Sequence, residues 1–268
     1  MIISHNNKYV FVEMNHTAST AISEELCAKY GGQEILWKHA RYRDFIKQAT
    51  NEEKNYFYFT GKRNPLDIMV TLYFRHKLDP EGCFCNIQAP HVTVHNYKMY
   101  RYISRYQADF PVFFLKFFRW RIFYEWKGRD FKNLNYIYRF EQLQDGFIAA
   151  LDKLGLTPIR PVPVVNSTAE RSKDFTSYYT TEIQPWAYII LRDLMREWGY
   201  EFPSDWRTPT AWHWAYYHLF LKPMFYLRKV FHLFLDHPAV YWQLYVIETG
   251  WVYLLRRRYK MWREKTIG

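Results

Sequence analysis

At 268 residues the chain is long enough for one large α/β domain or for a domain with an appendage. Hydrophobic residues at 49% against 24% charged exclude a disordered chain, and aromatics are heavy at 21%, with 11 Trp and 24 Tyr. A formal net charge of +11 points to an anionic partner: a phosphate-bearing nucleotide, nucleic acid, an acidic polymer or a membrane surface. The three cysteines, Cys27, Cys83 and Cys85, are too few for a disulfide framework, and no second pair accompanies Cys83 and Cys85 to suggest zinc. The opening Met-Ile-Ile-Ser-His-Asn-Asn-Lys lacks the apolar stretch of a signal peptide, so a reducing, cytoplasmic setting is expected.

In chain order, Tyr9-Val-Phe-Val-Glu13 predicts a strand and Met14–Thr20 a polar turn. Ile22, Leu26 and Tyr30 predict a helix stopped at Gly31-Gly32. Tyr56-Phe-Tyr-Phe-Thr60 predicts a second strand, and Pro65 suits the first turn of a helix running to about His76. Residues 78–95 read as an excursion, and residues 96–126 as aromatic helices with a break near Pro111. Leu134–Tyr138 predicts a further strand, Glu141–Leu154 a helix, and Pro158, Pro161 and Pro163 an extended loop through Asn166-Ser-Thr168. A last helix spans Thr181–Trp198. The alternation implies βαβ units: an α/β domain over 1–207 with a central parallel sheet and helices on both faces.

The composition changes after residue 207. Residues 209–268 carry 16 aromatics and nine Lys/Arg against three Asp/Glu, a net of +6, with Arg256-Arg-Arg258, Lys260, Arg263 and Lys265 clustered. The segment 208–268 reads as an aromatic, basic helical C-terminal extension, either a hairpin packed on the domain or an interfacial element on anionic lipid. The charge-free run Thr208–Leu221 is too short to span a bilayer, which needs about 20 apolar residues.

A polar turn between a strand and a helix is an anion site, because backbone N–H groups there are unpaired and the helix dipole favours negative charge. His16-Thr-Ala-Ser-Thr20 occupies that place, and its alternative reading is a plain Ser/Thr helix cap. It is not a Walker A loop, which disfavours a P-loop kinase. Arg63-Asn-Pro-Leu-Asp67 with Thr71 forms a second constellation in which a guanidinium and a hydroxyl share one phosphate. The alternative there is a helix started by Pro65 beside a surface arginine.

Taken in order, these pieces resemble the sulfotransferases that use 3′-phosphoadenosine 5′-phosphosulfate (PAPS), in particular the Golgi carbohydrate enzymes and their bacterial relatives of sulfotransferase family 2. The loop Asn15-His-Thr-Ala-Ser-Thr-Ala21 is similar to the family's 5′-phosphosulfate loop, and Arg63-Asn-Pro-Leu-Asp-Ile-Met-Val-Thr71 to its 3′-phosphate clamp, with Thr for Ser and Ile68 for a second Arg. Trp37-Lys-His-Ala40, Tyr138-Arg-Phe-Glu-Gln-Leu143, Asn166-Ser-Thr168 with Arg171, Tyr178-Tyr-Thr-Thr-Glu182 and Trp198-Gly-Tyr200 resemble further family segments, over roughly residues 8–202.

The resemblance implies a P-loop-like three-layer fold and sulfuryl transfer from PAPS to a hydroxyl or amine of a carbohydrate or lipid-like acceptor, leaving 3′-phosphoadenosine 5′-phosphate (PAP), with no metal. It assigns His16, Thr17, Ala18, Ser19 and Thr20 to the phosphosulfate, Arg63 and Thr71 to the 3′-phosphate, and Arg171 to a late loop closing over the donor. The base is expected to be His39, with Glu13, His91 and His95 behind it. One departure stands out: the family's loop Lys is here His16. A protonated imidazole supplies the charge, and clustered phosphates favour that form. Otherwise Lys38 or Lys62 supplies it, or the protein binds nucleotide without efficient transfer. The insert over 78–130, with Tyr97, Tyr100, Tyr102, Phe113, Phe114 and Trp120, is expected to shape the acceptor site or to be helix packing. His91-x-x-x-His95 lacks a following Glu and a third ligand, so no metal is expected there, and Cys83-Phe-Cys85 reads as buried packing. The competing class is a non-enzymatic basic module that binds membrane or nucleic acid through its tail, although no nucleic-acid motif is present.

Overall fold

The computed structural model describes residues 1–87, 89, 92–120, 131–163, 171–172 and 174–227. His91, Asn166–Thr168 and the basic run Arg256–Arg258 lie outside them. Two units make up the chain: Met1–Phe74, Phe123–Thr181 and Leu191–Arg207 form the first, and Arg75–Ile122, Glu182–Ile190 and the residues from Thr208 on form the second.

The first unit is built on a five-stranded mixed sheet. Strands β1 (Ile2–Ser4), β2 (Tyr9–Phe11), β3 (Gln33–Glu34), β4 (Phe57–Lys62) and β5 (Tyr136–Arg139) lie in the order β3-β1-β2-β4-β5. β2, β4 and β5 run parallel, with Tyr9 opposite Phe57 and Phe59 opposite Tyr136, whereas β1 is antiparallel to both β2 and β3. The expectation of a parallel sheet therefore holds for the centre and is corrected at the edge. The opening residues form β1, which returns into β2 as a hairpin.

Side-chain alternation along each strand feeds two cores. Tyr9, Phe11 and Phe59 point to one face, where Ile22 and Leu26 of α1 (Ser19–Lys29) and Phe147 and Leu151 of α6 (Leu143–Lys153) cover them. Val10, Val12 and Tyr58 point to the other, against Phe45 of α2 (Tyr42–Ile46). A sheet buried on both faces needs such near-continuous apolar strands. Tyr138 of β5 is fully buried between two glycines: a Cβ built on Gly61 would meet its ring at 2.6 Å, and one on Gly146 would meet its Cβ at 2.4 Å.

α3 (Pro65–Leu78) begins in this unit with Pro at its first position, as expected. In the second unit, α4 (Val94–Tyr106) is capped by Thr93, whose side chain accepts from the Asn96 amide. α5 (Phe110–Phe118) is capped by Asp109 and carries Pro111 in its first turn. The break expected near Pro111 falls just before it, at Gln107, which has φ 47°. Phe113 and Phe114 are fully buried packing residues, while Trp120 is exposed. The expected burial of the cysteine pair is corrected: Phe84 is buried, whereas Cys83 is only partly covered and Cys85 is exposed. α7 (Gln184–Trp198) follows, and α8 (Ala211–Tyr216) continues as a π-helical turn over Tyr217–Leu221 and a helix through 227. Among the described residues, no helix is long and apolar enough to cross a membrane.

Candidate functional site

Chain segments leaving the carboxyl ends of parallel strands converge on one edge of the sheet, where open α/β folds place ligands. β2 delivers the turn Met14–Ala18, β4 delivers Arg63 and Asn64, and β5 delivers Phe140 and Glu141. The turn is strained: His16 and Ala18, both non-glycine, have φ of 62° and 58°. Ala18 is the N-cap of α1 and makes no side-chain cap bond, so the Ser/Thr cap reading does not describe this helix. The first amides of an eleven-residue helix are left without a side-chain cap, the electrostatic setting that favours an anion.

The hydroxyls divide unequally. Thr17 is buried and donates to the Met14 carbonyl at 3.0 Å, so its proton serves the turn itself. Ser19 is buried at the helix start. Thr20 accepts from Lys38 Nζ at 2.9 Å, which brings that cation to the loop, whereas Lys62 Nζ donates to the Trp198 carbonyl at 2.6 Å. Of the two lysines considered as substitutes for the missing loop cation, Lys38 is the one held beside the turn.

Arg63 is 8% exposed, not a surface residue. Its Nη1 donates to the His16 carbonyl at 3.0 Å, its Nε donates to Asp67 Oδ2 at 2.6 Å, and its guanidinium lies 4.0 Å over the Phe140 ring. Arg63 does not reach Thr71 directly. The hydroxyl of Thr71 accepts instead from Arg171 Nη1 at 2.7 Å, and Arg171 lies against Asp67 Oδ1 as a charge contact without hydrogen-bond alignment. Asp67 thus stands between two guanidiniums. Burial lowers the pKa of Arg63 to about 10, and burial together with the charge of Arg63 lowers that of Arg171 to about 10. Asp67 faces both cations, Arg63 also lies under the charge of Glu141, and the buried Nε of Arg171 has no hydrogen-bond partner.

The late segments gather around the same edge. Glu141 accepts from the Asn64 amide at 2.7 Å and from the Tyr200 hydroxyl at 2.8 Å. Arg139 donates to the Gly199 carbonyl at 2.8 Å. The pieces around residues 63, 141 and 199 are therefore in contact, although nearly 140 positions separate the first from the last. Sequence reasoning missed Asp67 and Glu141 as bridging groups; the only sign of them was their place inside the quoted segments.

On the other side of the turn, Glu13 is buried, ion-paired with the Met1 amine, and accepts from the Ser23 hydroxyl at 2.9 Å. His39, at φ 64°, sets Nδ1 3.1 Å from the Glu13 carbonyl oxygen. A carbonyl only accepts, so Nδ1 carries the proton in this contact. A cleft of about 550 Å³ opens beside the turn, lined among others by Thr20, Ser23, Lys38 and Glu13. His95 lies in the first turn of α4, in the second unit. Chemically, the arrangement offers an anion uncapped amides, hydroxyls and two guanidiniums, with the His39 imidazole close to the turn. No family model, curated protein or solved structure matches the chain.

Proposed function

We propose that the protein is a PAPS-dependent sulfotransferase of P-loop-like fold, acting on a hydroxyl or amine of a carbohydrate or lipid-like acceptor. The observation that carries this reading is the meeting of Arg63 and Arg171 at Asp67: two guanidiniums, one buried and one largely covered, come together beside the strand ends, the Nε of Arg171 has no hydrogen-bond partner, and an anion would complete them. A 3′-phosphate is such an anion. The uncapped start of α1 lies at the end of the neighbouring strand and suits a second anionic group, so the pair fits a nucleotide phosphorylated at both ends.

In this reading the Ser19 and Thr20 hydroxyls, the amides after Ala18 and the charge of Lys38 or His16 hold the phosphosulfate; Thr17 shapes the turn. Arg63, Arg171 and Thr71 hold the 3′-phosphate. The donor supplies an activated sulfuryl group. The protein supplies in-line placement and donors around the leaving oxygens, and His39 Nε2 takes the acceptor's proton. Glu13 is engaged by Met1 and Ser23, so it fits a supporting role better than that of the base.

Calorimetry with PAP tests the reading. Binding in the micromolar range or tighter is expected, about −8 kcal/mol. Arg63→Ala should lose at least about 2 kcal/mol, because a charged partner is removed. Absence of saturable heat, or equal affinity for AMP, which lacks the 3′-phosphate, would overturn it. An acceptor screen with labelled donor then identifies what is sulfated.

A further inference from the structure

We propose that the outward face of the helical run over residues 211–227 docks on the surface of a bilayer carrying anionic lipid. The run packs its inner face within the second unit: Trp186 lies 5.2 Å from Tyr216, and Tyr188 lies 5.9 Å from Trp214, centroid to centroid. Tyr217 and Leu221 are buried. A surface helix ordinarily turns charged residues outward from such a packed stripe. Here the outward positions are apolar too: Trp212 is 65% exposed, Leu219 70% and Phe220 55%, with Met224 and Leu227 also exposed. The π-helical turn at Tyr217–Leu221 carries three consecutive exposed residues, His218, Leu219 and Phe220, on one bend.

The patch extends beyond the helix. Trp120, 62% exposed, lies 6.0 Å from Tyr216, which in turn lies 5.4 Å from Phe220 and 6.5 Å from Trp212. Arg119 sits 4.7 Å over the Trp120 ring, placing a cation at the rim. Contiguous exposed apolar surface of this kind marks an interaction site. Charge selects the occupant. From Trp206 to Leu235 there is no Asp or Glu, while Arg207, Lys222, Arg228 and Lys229 are cationic. Residues 236–268 add six Lys/Arg against Asp236 and two Glu. A protein partner would ordinarily leave mixed charge at the rim. Exposed tryptophan, exposed aliphatics and a surplus of cations over acids match a headgroup layer with acyl chains beneath.

Co-sedimentation of the full chain with vesicles of phosphatidylcholine alone, or with phosphatidylserine added, tests this. Binding to the mixed vesicles is expected, falling as salt rises. The Leu219→Glu/Phe220→Glu double variant should reduce partitioning at least about tenfold, since it replaces inserted apolar groups with anions. Both side chains are exposed, so the fold should be kept, and circular dichroism checks this. Should the double variant not fold, quenching of wild-type tryptophan by brominated lipid replaces it, with a weaker effect expected for Trp212→Phe. Failure of the wild type to bind, equal binding by the folded double variant, quenching unchanged in Trp212→Phe, or a concentration-dependent dimer that the double variant abolishes while vesicles remain unbound would each overturn the proposal. PAP binding is unaffected in every arm.

Discussion

Asp67 is held by Arg63 from its own helix turn and by Arg171 from a segment more than a hundred positions away. An i, i+4 pair at a helix start is ordinary and legible. The second arginine is not, because no spacing rule links residues 67 and 171. Asp67→Asn should therefore cost about 3 kcal/mol in urea unfolding, since the buried Arg63 and the largely covered Arg171 are left facing a neutral group. Saturating PAP should restore more stability to the variant than to the wild type. Unchanged unfolding would mean the carboxylate does not bridge. The two guanidiniums stay charged up to about pH 10, so they cannot give pH-dependent ligand binding near neutrality. That dependence falls to His16, whose backbone is tied to Arg63. PAP affinity should weaken as pH rises through the imidazole range, and His16→Lys should flatten the profile and bind more tightly at its alkaline end. A flat wild-type profile would assign the cation to Lys38.

At the scale of elements, the strands of the parallel centre and the helices after them were readable because aromatic and β-branched runs alternate with helical spacing and with Gly or Pro stops. β1 escaped notice since three residues show no period, and β3 because both of its residues are exposed and polar. The site was legible as loops at strand ends; the strained Ala18 cap was not, because a left-handed alanine has no sequence signal. Ala18→Gly should raise stability by up to about 1 kcal/mol, by relieving that backbone without touching a side-chain contact. Gly146 runs the other way. It lies inside α6, where alanine ordinarily gains about 1 kcal/mol. Gly146→Ala should nevertheless destabilise by about 1–3 kcal/mol, because its Cβ would land 2.4 Å from that of Tyr138. Chemical denaturation of the two variants, read together, separates helix propensity from the close approach.

For the molecule as a whole, the proposed nucleotide site lies within the first unit and the exposed aromatic face within the second. Hydrogen exchange with and without PAP should slow amides around residues 15–22 and 61–71, and leave α4 and α5 unchanged. Slowing confined to the second unit would place the ligand elsewhere. The surplus of positive charge suggested one anionic partner when read from composition. A total of +11 does not distinguish the arginines that meet Asp67 in the first unit from Arg119 over the Trp120 ring in the second.

The packing around Tyr138 also constrains how this chain can diverge. A side chain at position 61 would strike only the far end of the ring, so that position can vary if 138 shrinks in the same lineage. A side chain at 146 meets the first carbon of residue 138, which every amino acid but glycine possesses. Coordinated drift should therefore couple 61 with 138, while 146 stays glycine in any descendant that keeps the helix where it is.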